Sequence, residues 1–206
     1  MLLILEGKEF FERFSKGFTF EQWLTKLDDV SKDKVSRYYE KIYMMVVSEF
    51  RERFTCDYKV NILALVDNRC WDCQFYIPVL VRLAENNPNI EVKLLEANGN
   101  EDIHQNVNGG NKSPYVMFYS QDGYLTDTWV ERPTIVYELY AKLRKEYGFG
   151  ESSKMDFLKE YRKAFLKDQE LFYKAAADEL TQKICRVNAI QGTSKRINTT
   201  VITTAT

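Results

Sequence analysis

The sequence predicts an α/β fold in which a central mixed sheet is flanked by helices, with helical extensions at both ends. Three observations predict it. An apolar run at 62–66 precedes a helical stretch from Trp71 and a second strand-like run from Ile90, the pattern of a βαβ unit with a parallel strand pair. Tyr115 to Tyr119, the turn Ser120-Gln-Asp-Gly123 and Tyr124 to Val130 read as a β-hairpin, which adds an antiparallel pair. Amphipathic stripes lie before and after this block, and such stripes must bury themselves against a neighbouring layer.

Taken in order, 9–14 is expected as a short helix with Phe10, Phe11 and Phe14 on one side. Thr19-Phe-Glu-Gln22 has the form of a capping box, and Phe20, Trp23, Leu24 and Leu27 fall at i, i+3, i+4 and i+7, which predicts a helix over 20–28. Ser31 is placed to cap a helix running to about 54, with Val35, Tyr38, Ile42, Val46 and Phe50 at helical spacing. Residues 1–57 therefore read as a helical N-terminal extension. The core domain, 58–147, opens with a strand over 59–66 and a helix over 71–86 that Pro78 is expected to kink. A strand over 90–95, a short helix over 101–107 and the breaker-rich loop Asn108-Gly-Gly-Asn-Lys-Ser-Pro114 come next. The hairpin follows, and Arg132-Pro133 then opens a helix that ends at Gly148. Within 151–187 a single long helix, capped by Ser152 or Ser153, is expected to run to about 186 on a stripe of Phe157, Tyr161, Phe165, Phe172, Ala176 and Leu180. The stretch 188–206, rich in Thr, Asn and Ala without periodicity, reads as a disordered tail.

With 206 residues and 45% hydrophobic content, the chain can bury one good core. Its 29 basic and 30 acidic residues leave a formal charge of -1, so composition gives no electrostatic case for nucleic acid or for an anionic membrane. No stretch reaches the roughly 20 apolar residues of a membrane span. The start, Met1-Leu-Leu-Ile-Leu5-Glu6, lacks a basic region and a small-residue cleavage site, so a cytoplasmic home is expected. The sequon at Asn198 needs a secreted context, which nothing else indicates.

Four cysteines, two in one CxxC and two isolated, suit a reducing compartment with one working pair. Cys70 sits where the first strand hands over to a helix, and Cys73 follows one turn later. Unpaired N–H groups at a helix N-terminus stabilise an anion, so this position favours the thiolate, the form that attacks disulfides. Structural zinc would need four ligands; beyond the pair there are Cys56, Cys185 and His104, with no second closely spaced pair. Cys56 and Cys185 read as small buried residues, and His104 as a surface residue of a polar helix.

Cys70-Trp-Asp-Cys73 after the first strand, Pro78 placed 5 residues beyond Cys73, and Ser113-Pro114 with its proline 41 residues beyond it together resemble the thioredoxin superfamily. Gly17-Phe-Thr-Phe-Glu, Asn108-Gly-Gly and Trp129-Val-Glu-Arg-Pro133 look like the bacterial thioredoxin-like family that carries an N-terminal helical extension. The resemblance implies a thioredoxin-like fold and thiol-disulfide exchange, with no metal and no organic cofactor. Cys70 would be the nucleophile and Cys73 the resolving thiol. Pro114 would be a cis-proline facing the dithiol, Ser113 would offer its backbone to an extended substrate, and Trp71 would either contact substrate or pack as a lid on the Ser113 loop. The implied partners are a disulfide-bearing protein or low-molecular-weight thiol substrate and an upstream reductant.

Departures from the family matter for mechanism. Counted without gaps, the family's buried Asp and its Lys partner fall on Ala64 and Leu95, so both charges are missing together. Proton transfer to Cys73 would then use water or another carboxylate. Arg69 replaces the Trp usual before the first cysteine; it should favour the Cys70 thiolate, while Asp72 should oppose it. Trp129 and Arg132 match the family signature, but an inward aromatic and a helix-starting Arg-Pro are the simpler account of them. Beside exchange stands a second reading, a thioredoxin-fold binding module with little turnover, because fold alone does not establish activity.

Overall fold

The sheet comprises β1 (Val60–Val66), β2 (Ile90–Glu96), β3 (Tyr115–Tyr119) and β4 (Leu125–Val130), in the order β2-β1-β3-β4. The coordinates are a computed structural model that describes residues 5–44, 50, 55–85, 87–103, 112–148, 151–195 and 197, with 151–154 described by backbone alone. β1 pairs parallel with β2 and antiparallel with β3, and β3 pairs antiparallel with β4, so the sheet is mixed as expected. Around it lie α1 (Gly7–Phe14), α2 (Phe20–Leu24), α3 (Asp29–Ile42), α4 (Trp71–Ala84), α5 (Thr134–Tyr147), α6 (Glu151–Lys167) and α7 (Gln169–Thr193).

Every residue of β1 is buried, because helices cover both faces of the sheet at its centre. Alternate residues serve two cores. Ile62, Ala64 and Val66 join Val116 and Phe118 in a large cluster with α2 to α7. Leu63, Leu65, Tyr115, Met117 and Tyr119 face a smaller one closed by α1, where the Phe10 ring stacks on Tyr119 at 3.9 Å. α1 docks on the hairpin turn through Gly7 N–H to the Gly123 carbonyl at 2.9 Å. Gly123 has φ +82, and a Cβ there would come within 2.9 Å of the Phe11 ring, so turn and docking both require glycine. Phe18 exchanges two backbone hydrogen bonds with Leu94, covering part of the β2 edge.

α4 is apolar on all sides because it lies between the sheet, α3 and α7; Phe75 stacks on Tyr173 of α7 at 4.2 Å and meets Tyr38 of α3 edge-on. The helix continues through Pro78, whose missing N–H leaves the Gln74 carbonyl without its helical donor. The capping box at Thr19 forms, with Gln22 as its reciprocal partner. Asp28, rather than Ser31, caps α3: its carboxylate accepts from the Ser31 N–H at 3.0 Å, and the helix starts at Asp29. The predicted continuation to 54 falls largely outside the described residues, as do 104–107 of the short helix after Glu101.

The C-terminal prediction needs two corrections. One long helix is instead two, α6 and α7, separated at Asp168, where the backbone leaves helical geometry. α7 then runs on to Thr193, so 188–193 is helix and not tail. Gln191 is the reason: its side chain accepts from the Gln121 N–H at 2.8 Å and donates to the Lys59 carbonyl at 3.2 Å, tying the helix end to two loops. Residues 198–206 lie outside the described residues. Among the described residues no helix is long and apolar enough to cross a membrane.

Candidate active site

Asp67 to Cys70 connect β1 to α4, and the connection is tied locally. The Asp67 carboxylate accepts from the Arg69 N–H at 2.8 Å, and the Asp67 carbonyl accepts from the Cys70 N–H at 3.0 Å, closing a tight Asx-type turn. Cys70 is thereby the N-cap of α4. The N-terminal helices hold the same loop from outside: the fully buried Trp23 donates its indole N–H to the Asn68 side chain at 2.8 Å. Gln74 adds a bond to the Asn68 carbonyl at 2.8 Å. Replacing Trp23 by Phe removes that donor and leaves a part-buried acceptor unpaired, and is expected to cost about 1–2 kcal/mol in urea unfolding.

All four cysteines are free thiols. Cys70 is partly exposed, and its Sγ lies 3.1 Å from the Ser113 carbonyl, to which the thiol donates. The Ser113-Pro114 peptide is cis. The loop that arrives 43 residues later in the chain therefore meets the dithiol, as the resemblance implied. Cys73 is fully buried behind Cys70, and its Sγ accepts from the Asp67 N–H at 3.4 Å.

The two sulfurs are electrostatically unequal. Hydrogen bonding from the Cys73 thiol outweighs burial at Cys70, and the Ser113 side chain and the Cys73 and Asp72 N–H groups add to it, so the Cys70 thiol is held down at about 6. Burial, reinforced by the hydrogen bond and charge of Cys70, pushes the Cys73 thiol well above the ordinary range. The site presents one ready thiolate in front of one retained thiol.

Asp72 departs most from expectation. It is 7% exposed, and its Oδ2 accepts from the Arg132 guanidinium at 2.8 Å. Burial pushes its carboxyl up to about 7 against the pull of Arg132, with the charges of Cys70 and Glu131 adding to the push and Lys112 opposing it. Arg132 also meets Glu131 at 2.8 Å and donates to the Tyr161 hydroxyl of α6 at 3.2 Å. Glu131 has φ 62, unusual for a residue with a Cβ, and its N–H donates to the Pro114 carbonyl at 2.8 Å. A buried charge network thus joins the first turn of α4, the loop carrying Pro114 and the C-terminal helices.

Several expectations are corrected here. The Arg69 side chain is 93% exposed and lies 3.9 Å from Asp67, and the leading causes that lower the Cys70 thiol are Cys73, Ser113 and backbone N–H groups rather than Arg69. Trp71 packs on Phe165 at 4.4 Å and on Phe75 and Tyr161 at 6.0 Å, held between α4 and α6. Ala64 and Leu95 belong to different cores on opposite faces of the sheet; the residue paired with Ala64 is Leu94, also apolar, so the missing ion pair has no substitute there. Arg132 is no mere helix starter, and its match to the family signature was the available signal. Among the described residues no group of three or more His, Cys, Asp or Glu is gathered to hold a metal ion, and His104 lies outside them.

Fold and site together define a thioredoxin-fold protein whose CxxC dithiol faces a cis-proline loop. A family model described as thioredoxin matches residues 17–144, and the chain belongs to that family. Two solved structures share the fold. A crystal structure of an HIV epitope-scaffold aligns with TM-score 0.62 and 18% identity, over 84% of this chain and 95% of that one. A protein of unknown function from Pseudomonas aeruginosa aligns with TM-score 0.58 and 20% identity, over 88% of this chain and 96% of that one. At these identities the likeness carries the fold alone. No curated protein matches the chain.

Proposed function

We propose that the protein is a thiol-disulfide oxidoreductase of a reducing, cytoplasmic compartment, with Cys70 as nucleophile and Cys73 as resolving thiol. The observation that carries this reading is the Cys70 sulfur, partly exposed at a helix N-terminus and 3.1 Å from the Ser113 carbonyl, with Cys73 buried behind it. In the forward step the Cys70 thiolate attacks one sulfur of a substrate disulfide and forms a mixed disulfide. The Cys73 thiolate then attacks the Cys70 sulfur and releases the reduced substrate. Ser113 and Pro114 would present backbone to an extended substrate segment, displacing the thiol from the Ser113 carbonyl. Substrates would be disulfide-bearing proteins or low-molecular-weight disulfides, with a separate dithiol reductant restoring the pair.

The test is reduction of insulin disulfides by dithiothreitol, which the protein should accelerate, and a Cys73→Ser variant, which should accumulate a mixed disulfide through Cys70. No acceleration and no trapped adduct would end the enzymatic reading. One observation favours the alternative of a binding module with little turnover: Phe165 and Tyr161 cover the Trp71 side of the dithiol, which narrows the approach of a folded substrate. That alternative predicts a protein partner retained by a Cys70→Ala, Cys73→Ala double variant.

A further inference from the structure

Asp72 is a buried ionisable group for which the two-cysteine scheme has no task. Its Oδ2 accepts from Arg132, while its Oδ1, also buried, accepts no hydrogen bond among the described residues. A bare carboxylate oxygen kept from water is costly. A carboxylic acid is better suited, since protonation leaves one oxygen for Arg132 and turns the other into a donor. That donor needs an acceptor. Asp72 lies in the first turn of α4, two residues beyond Cys70, whose charge acts on its carboxyl, and an acceptor arises beside Cys70 when a substrate sulfur departs with negative charge.

Resting on the exchange reading above, we propose that Asp72 is the proton donor to the sulfur that leaves the substrate disulfide, and that it holds the site's negative charge once Cys70 and Cys73 are joined. The Cys70 thiolate attacks one substrate sulfur; the S–S bond breaks, and its electron pair goes to the other sulfur, which takes the Asp72 proton and departs as a thiol. Cys73 then attacks the Cys70 sulfur of the mixed disulfide, and the second substrate sulfur leaves with the proton that Cys73 gives up. Two electrons and two protons pass to the substrate, and the single negative charge moves from Cys70 to Asp72. A dithiol reductant reverses the balance, returning two electrons to the sulfurs and one proton each to Cys73 and Asp72.

The surroundings suit this transfer. Arg132 and Lys112 favour the carboxylate; Glu131 and the Cys70 thiolate disfavour it. The phenols of Tyr76 on α4, Tyr137 on α5 and Tyr161 on α6 also face the network, and burial keeps all three protonated. Of these charges only that of Cys70 disappears on oxidation. Its loss lowers the Asp72 carboxyl toward ionisation beside Arg132, a coupled titration in which the proton follows the redox state.

The experiment compares single-turnover reduction of two disulfides by the reduced protein and by Asp72→Asn at pH 6.5. 5,5′-Dithiobis(2-nitrobenzoate) releases an aromatic thiolate that needs no proton, whereas bis(2-hydroxyethyl) disulfide releases an alkyl thiolate that does. The substitution should lower the alkyl-to-aryl rate ratio about 100-fold, the scale of general-acid catalysis. An unchanged ratio overturns the proposal, because a structural defect slows both substrates alike. A wild-type protein that reduces neither disulfide overturns the exchange reading itself, and this proposal with it. Carbon-13 NMR of the wild-type Asp72 carboxyl needs no substitution: it should show the acid in the reduced protein and the carboxylate after oxidation, and a carboxylate in both states overturns the assignment.

Discussion

Cys70→Ser is expected to abolish insulin reduction, while reaction of the wild-type thiol with iodoacetamide should rise along a curve centred near pH 6 and flatten by about pH 8. The sign follows from the lowered thiol: the reactive thiolate accumulates as pH rises through about 6 and is lost below it. Magnitudes decide what the measurement can show. At pH 7 a thiol titrating at about 6 is roughly 90-fold richer in thiolate than one at about 9. Nucleophilicity falls with basicity, however, and over three units that costs roughly 20-fold to 30-fold, so the net advantage at pH 7 is only a few-fold. At pH 5 the population ratio grows to roughly 900-fold and the advantage to about 40-fold. The position of the curve, not the rate at neutral pH, is therefore the diagnostic. A midpoint near 9 would remove the electrostatic basis of the site. Cys73 should stay unlabelled throughout, since its sulfur is fully buried and its thiol is pushed well above the usual range.

Phe75→Ala is expected to destabilise the protein by about 3–5 kcal/mol, the range for deleting a fully buried aromatic ring. In a chain of this size that lowers the midpoint of thermal unfolding by roughly 10 °C. Phe75 is fully buried and touches Tyr38, Trp71, Tyr76, Phe165 and Tyr173, so its ring joins α3, α4, α6 and α7 at one point. Five aromatic neighbours cannot all close on the vacated space, because each is held by other contacts. Differential scanning calorimetry reads the effect directly, and a loss below about 1 kcal/mol would mean that the α6–α7 cover is not packed on α4 as described.

The sequence made legible what is encoded locally. Cys70 and Cys73 share one helical turn, Ser113-Pro114 is a dipeptide, and the hairpin announces itself through Gly123; each carries its signal within a few residues. The site's charge network does not. Asp72 and Arg132 are 60 residues apart, and nothing at either position marks the other. Without that pairing Asp72 reads only as a charge opposing the Cys70 thiolate, and Arg69, adjacent but 93% exposed, reads as a principal partner of the dithiol. Trp71 was ambiguous for the same reason: Phe165, which covers it, lies on a helix whose position relative to α4 no periodicity reveals. The break at Asp168 was invisible because Lys167-Asp168-Gln169 contains neither glycine nor proline. The end of α7 was lost to composition, since its Asn, Gln and Thr residues mask a helix held by tertiary bonds from Gln191.

Glu179 of α7 accepts at once from the Trp129 indole at 2.7 Å and from the Thr134 N–H at 2.8 Å, fastening the end of β4 to the start of α5. The segment between those anchors holds Glu131 and Arg132, whose charges act together with burial on how Asp72 ionises. Through that segment the carboxyl-terminal rod bears on the carboxyl two residues beyond Cys70, and substitution of Glu179 is expected to shift how that carboxyl ionises.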